Sequence, residues 1–257
     1  MIHLSAGMLE QASAGILSAL LVFLRVAAMV SVLPAFSERM LPMRVRLAAA
    51  FAFTLIVAPA IGGAEAPPAL PDFARLALSE TVIGLALGLG VRLFVMALQT
   101  AGAMAAQATS LSQLLGGAAA EPTPALAHVL VIAGLALAML ADLHVHAARL
   151  MIGSYDWFPV GIPPDPQPLS AWWVDRVAAM FALSFTLAVP FMIAATLYNL
   201  TLGVVNRAMP QLMVAFVGAP VITMGGLVLL LLCAPLMLSV WLDALVGFLV
   251  DPLDPAR

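Results

Sequence analysis

The ionisable side chains of this sequence are few, and most stand alone in apolar surroundings. Asp142, His144 and His146 come nearest to a metal-ligand cluster, but on a helix imidazoles at i and i+2 point to different sides, so the spacing argues against a shared ion. A polar helix end at a membrane interface fits them better. Nothing in the chain converges as a nucleophile with a base, so no catalytic residue, metal or cofactor is expected and an enzyme is the poorest reading. All ten basic residues are arginine. Without lysine there is no Walker-type phosphate loop and no Schiff-base chemistry, and energy for any transport must come from a partner or a gradient. The single cysteine, Cys233 in LVLLLLCAPL, excludes an internal disulfide and reads as a buried, inert thiol.

The remaining polar groups are informative because of where they sit. Arg25 interrupts the first apolar block, while Asn206, Arg207, Pro210 and Gln211 fall together in a long apolar region, where each is costly unless it has a partner. For Arg207 two readings stand: a helix-end arginine reaching the cytoplasmic interface, or a contact with a carboxylate or carbonyls of a neighbouring chain. Glu80, Gly84, Gly88 and Arg92 follow one another at i+4 and continue loosely through Gln99, Ala103 and Gln107. Such a stripe of small and polar residues is a helix-contact face. Glu80 and Arg92 are too far apart along it to pair, so each predicts a partner on another helix or another chain. Packing and interface roles are open for Arg25 and Glu80, with a proton relay at Glu80 the lesser alternative.

The elements that must carry these groups are membrane-length. With 64% hydrophobic and 9% charged residues over 257 positions, against about 25% charged in soluble domains, the chain reads as an all-α membrane protein of about six apolar helices interrupted by proline and glycine. Blocks are expected over about 12–33, 47–61, 76–108, 126–143 (with a helical extension), 177–205 and 212–250. No Lys or Arg precedes Arg25, so the first block is expected to remain in the mature protein rather than be cleaved. The third block would be about 50 Å long against a hydrocarbon core of about 30 Å, so it must break, tilt steeply or leave the membrane. Pro190, Pro220 and Pro235 predict kinked or interrupted helices near the end. The segment 155–175, with five prolines and aromatics at both ends, is expected to be an external loop without regular helix. If the arginine-rich loop 37–46 is cytoplasmic, the Arg207 turn is inside, and the acidic proline loop and both chain ends are outside. Thr109–Ala125 carries Gly116 and Gly117 and an apolar tip of Leu111, Leu114 and Leu115; an ordinary connector and a mobile element packing into a cavity or pore are both consistent with it. RVAAM occurs twice, which in so Ala- and Val-rich a chain is coincidence rather than a repeat.

LRVAAMVSVLPAF, LPMRVRLAAAFAFTLIVAPA, ETVIGLALGLG and above all NLTLGVVNRAMPQLMVAFVGAP resemble the FliR family of flagellar biosynthetic proteins and its relatives in virulence type III secretion. The resemblance covers nearly the whole chain. It departs at Met213, where the family commonly has Asn, and around QATSLSQLLGGAAAEP, where the family often has a glycine and an Asp-Pro. It implies a non-catalytic subunit of the flagellar protein export gate in the bacterial inner membrane, at the base of the flagellum. Implied partners are FliP-like, FliQ-like and FlhB-like subunits, with FlhA nearby and unfolded flagellar proteins as substrates; no nucleic acid is involved. Within a single FliR-like domain, residues 1–155 would be a FliP-like helical part, 156–176 an acidic external loop, and 177–257 a FliQ-like hairpin and tail. The assembled gate would stand largely on the periplasmic side. The resemblance also implies a plug, which by position falls on Ser110, Leu111, Leu114, Leu115, Gly116 and Gly117. Arg25, Glu80, Arg92, Asn206, Arg207 and Gln211 become candidate contacts between helices or subunits, and Gly84 and Gly88 close-approach positions. The alternatives are an injectisome homologue, and a small-solute or ion transporter with a midplane site at Asn206, Arg207 and Gln211.

Overall fold

A computed structural model of the chain describes residues 2–38, 41–61, 70–110, 125–160, 162–209 and 214–254. Among them every regular element is α-helical: α1 (Ile2–Val32), α2 (Met43–Ala60), α3 (Leu70–Ser110), α4 (Ala125–Leu140), α5 (Leu143–Trp157), α6 (Pro166–Ala208) and α7 (Val214–Val250). Of these, α1, α2, α3, α6 and α7 are long and apolar enough to cross a membrane, and α4 with α5 make a sixth span if counted as one broken element. The all-α membrane fold expected from composition is the one observed.

Helix ends follow local chemistry, and several differ from expectation. Pro34 has no N–H to continue α1, and Ala35 turns the chain with a left-handed φ of 68° while Ser37 N–H donates to Leu33 O at 2.9 Å. The third block neither breaks nor ends early: α3 is one helix of 41 residues, about 60 Å long. The expected extension of the fourth block does break, because Asp142 takes a left-handed φ of 58° and starts a new helix, its carbonyl accepting from Val145 N–H at 2.9 Å and His146 N–H at 3.1 Å. The proline segment is more helical than its composition predicts. α5 runs to Trp157 and α6 begins at Pro166, so Pro166 and Pro168 occupy a first turn whose N–H groups have no helical acceptor in any case. Asp165 Oδ1 accepts from Gln167 N–H at 3.1 Å and caps that turn. Pro190 lies inside α6 and Pro235 inside α7, and neither interrupts its helix.

The chain forms two compact units. The first comprises α1, α2, α3 up to Arg92, Met139–Arg176 and the residues from Val246 on. Its core is built from Val22, Val26 and Met29 of α1 and Leu33 just after it, spaced at three and four residues, with Ile83, Leu87 and Val91 of α3 and Leu150 of α5. Phe23 stacks on Phe51 of α2 at 4.7 Å between centroids, and Phe36 meets Phe53 edge-on at 5.7 Å. The second unit comprises Leu93–Ala138 and Val177–Leu245. There α3 continues with Ala97, Leu98, Ala101 and Ala105 buried, as are Ala127, Leu130 and Ala138 of α4, Phe191 of α6 and Trp241 of α7. Trp241 is wholly buried and its indole N–H donates to Phe94 O at 2.7 Å.

Candidate functional site

The most demanding group in the first unit is Arg25, a permanently charged side chain in the middle of α1 that is only 1% exposed. All three guanidinium nitrogens are used. Nε donates to Glu80 Oε2 of α3 at 2.6 Å, Nη1 to Ser154 O at 3.1 Å and Ser154 Oγ at 3.2 Å, and Nη2 to Phe158 O at 2.8 Å. The Tyr155 ring covers the cation, 3.8 Å from its centroid to the guanidinium carbon. The carbonyls come from the C-terminal end of α5 and the residue after it, where the helix dipole favours a cation; Ser154 O also accepts from Phe158 N–H at 2.9 Å, so it is shared between that bond and the guanidinium. Ser154 Oγ in turn donates to Met151 O at 2.6 Å. One guanidinium thus ties α1, α3, α5 and the residue after α5 into a single joint.

Glycine lets the helices close around it. A Cβ at Gly84 would collide with the carbonyl of Arg25, and one at Gly88 would lie 2.6 Å from Val32 Cγ2 and 2.8 Å from Met29 O. The i+4 stripe therefore seats α3 against the α1 segment that carries the arginine. Glu80 is itself 1% exposed; its Oε1 and the Tyr155 hydroxyl have no hydrogen-bond partner among the described residues. Arg92, three turns further along α3, donates to Ser37 Oγ at 2.9 Å in the connection after α1.

The other residues singled out in the sequence are not drawn into this joint. Asn206 and Arg207 are exposed in the last turn of α6. Gln211 and the Leu111, Leu114, Leu115, Gly116 and Gly117 tip lie outside the described residues; Ser110 ends α3. Asp142 and His144 are exposed, and no cluster of metal-ligand side chains forms among the described residues. Sequence reasoning missed Ser154, Tyr155 and Phe158 as partners of Arg25. Two of those contacts are backbone carbonyls and carry no residue-type signal; the usable clue was that a buried arginine needs several acceptors and that helix C-termini supply them. Chemically the arrangement holds charge in place: it offers no nucleophile paired with a base.

Comparison with known proteins bears on what such a joint serves. Residues 16–247 match the family model described as bacterial export proteins, family 1. Over 229 residues the chain is 34% identical to the flagellar biosynthetic protein FliR of Caulobacter vibrioides, covering 88% of this chain and 91% of that protein. It is 28% identical over 215 residues to FliR of Escherichia coli (83% and 82% covered) and 27% identical over 226 residues to FliR of Bacillus subtilis (83% and 85% covered).

Proposed function

Because the chain belongs to the bacterial export proteins of family 1, the family of flagellar FliR, we propose that it is a non-catalytic subunit of the flagellar type III export gate, held in the bacterial inner membrane by its apolar helices. Its partners would be FliP-like, FliQ-like and FlhB-like subunits, with FlhA nearby, and its cargo unfolded flagellar proteins. Relatives named as flagellar proteins favour a flagellar machine over an injectisome.

The observation that carries a role in assembly is the uneven burial of the long helices. In the apolar 18-residue stretch of α3 61% of residues are buried, against 28% in that of α6 and 17% in those of α2 and α7. Phe181, Phe185, Ile193, Leu197, Leu231 and Leu232 are among the large apolar residues left exposed. Together α6 and α7 would form the FliQ-like hairpin, offering these faces to neighbouring subunits on the periplasmic side of the assembled gate. Asn206, Arg207 and Gln211 would stand at its turn as inter-subunit contacts, and Ser110–Gly117 would supply the plug that closes the pore before export.

The test is to tag the chain, solubilise membranes in mild detergent and identify what co-purifies, alongside motility of a strain lacking the native gene. FliP-like and FliQ-like chains in the eluate and restored swimming are expected. A chain that purifies alone and moves a small solute across vesicles would overturn the proposal.

A further inference from the structure

The first unit contains a cavity of about 430 Å³ beside the Arg25 joint, floored by Ile83, Ala86 and Leu87 of α3 and walled by Trp157, Phe158 and Trp172. The floor is buried within the chain, while Ile162 at the rim is 62% exposed. Its walls are held from outside the cavity. The Phe158 carbonyl is fixed by Arg25 Nη2, and the Trp172 indole N–H donates to Pro252 O at 2.8 Å. Asp165 caps α6 through Gln167 N–H. Walls tied in this way cannot simply collapse onto the apolar space, so the space is preformed for an apolar occupant.

The rim chooses among occupants. Among the described residues, Asp165 is the one charged residue lining the cavity. Asp156 is exposed nearby in sequence, and no basic residue occurs from Ser154 to Asp175. Trp157, Trp172 and Trp173 are the residue type that settles at the level of lipid headgroups, and the floor helix α3 and wall helix α6 are both long and apolar enough to cross a membrane. An anionic headgroup would meet a carboxylate; an ammonium would be welcomed by it. We propose that this cavity binds one acyl chain of a phospholipid whose ammonium headgroup, as in phosphatidylethanolamine, lies at Asp165. The proposal rests on the membrane fold and not on the export role.

The test uses the full chain, with the partners that co-purify with it, in vesicles of mixed phosphatidylethanolamine and phosphatidylglycerol. Each lipid is supplied in turn with a photoactivatable acyl chain, and cross-linked peptides are mapped. Labelling is expected to concentrate on the peptides holding Ile83–Leu87 and Trp157–Trp172, with the ethanolamine probe favoured by about two- to fivefold, the range of an exposed charge pair. Ala86→Phe, which fills the cavity, should cut labelling there by about tenfold while leaving labelling at the exposed Leu231 and Leu232 of α7 unchanged. Asp165→Asn keeps the helix cap, because Asn also caps, and should abolish the headgroup preference without abolishing labelling. Labelling spread evenly over the exposed helix faces, or a headgroup preference that survives Asp165→Asn, would overturn the proposal. So would undiminished cavity labelling in a folded Ala86→Phe chain.

Discussion

Arg25 owes its position to its acceptors, and removing either side of the pair has unequal consequences. In Arg25→Ala, Glu80 remains 1% exposed with no cation beside it, and α5 loses the donor that ties Ser154 and Phe158 to α1. Breaking a buried pair in this way costs about 3–5 kcal/mol, whereas replacing both partners by apolar side chains of similar size is often neutral. We therefore expect Arg25→Ala to lower the melting temperature of the detergent-solubilised chain sharply and Arg25→Met with Glu80→Leu to restore most of it. A double variant no more stable than the single one would show that the ion pair does more than satisfy its own charges. Ala35 offers a change in the opposite direction. Its φ of 68° lies where a Cβ is strained, so Ala35→Gly should stabilise the same melt by about 1 kcal/mol.

The helices carry the next level of prediction, because close approach and open space alternate along them. Gly84→Ala places a methyl against the Arg25 carbonyl and should destabilise by about 1–3 kcal/mol through overpacking. Gly203, in α6, has nothing within 4 Å of its would-be Cβ, so Gly203→Ala should stabilise the isolated chain by about 0.5–1 kcal/mol. If Gly203→Ala instead weakens co-purification while the chain itself melts higher, that face of α6 meets a partner. The same contrast shows what could be read from sequence. Helix type was legible because apolar runs of 18 residues or more permit little else in a membrane, and the Glu80–Gly84–Gly88 face was legible because i+4 spacing is local. The break at Asp142 was not, since a left-handed aspartate leaves hydropathy unchanged. The continuity of α6 through Pro166 and Pro168 was misread because a proline count ignores position within the first turn. The partners of Arg25 lie 55 to 133 residues away, and which helices meet is decided by packing, not by local pattern.

At the scale of the molecule, a chain without lysine has neither a Walker-type phosphate loop nor Schiff-base chemistry, so in the export-gate reading proposed above its part would be to shape and close a path that others power. Closure of a wide protein-conducting path against ions requires an apolar constriction that excludes water when idle. In the export-gate reading that duty falls on the segment leaving α3, which joins a leucine tip to two glycines in sequence. Deleting Ser110–Gly117 removes the tip and leaves untouched the Arg25 joint, the Trp241 contact and the exposed faces of α6 and α7. Co-purification with FliP-like and FliQ-like chains should therefore persist, while passive ion conductance of membranes holding the assembled complex rises several-fold. Replacing Leu111, Leu114 and Leu115 by serine should reproduce the leak without shortening the chain, because it is apolar character, not length, that keeps water out. Conductance unchanged in both variants, with assembly intact, would assign closure to another subunit and return this segment to the role of a connector.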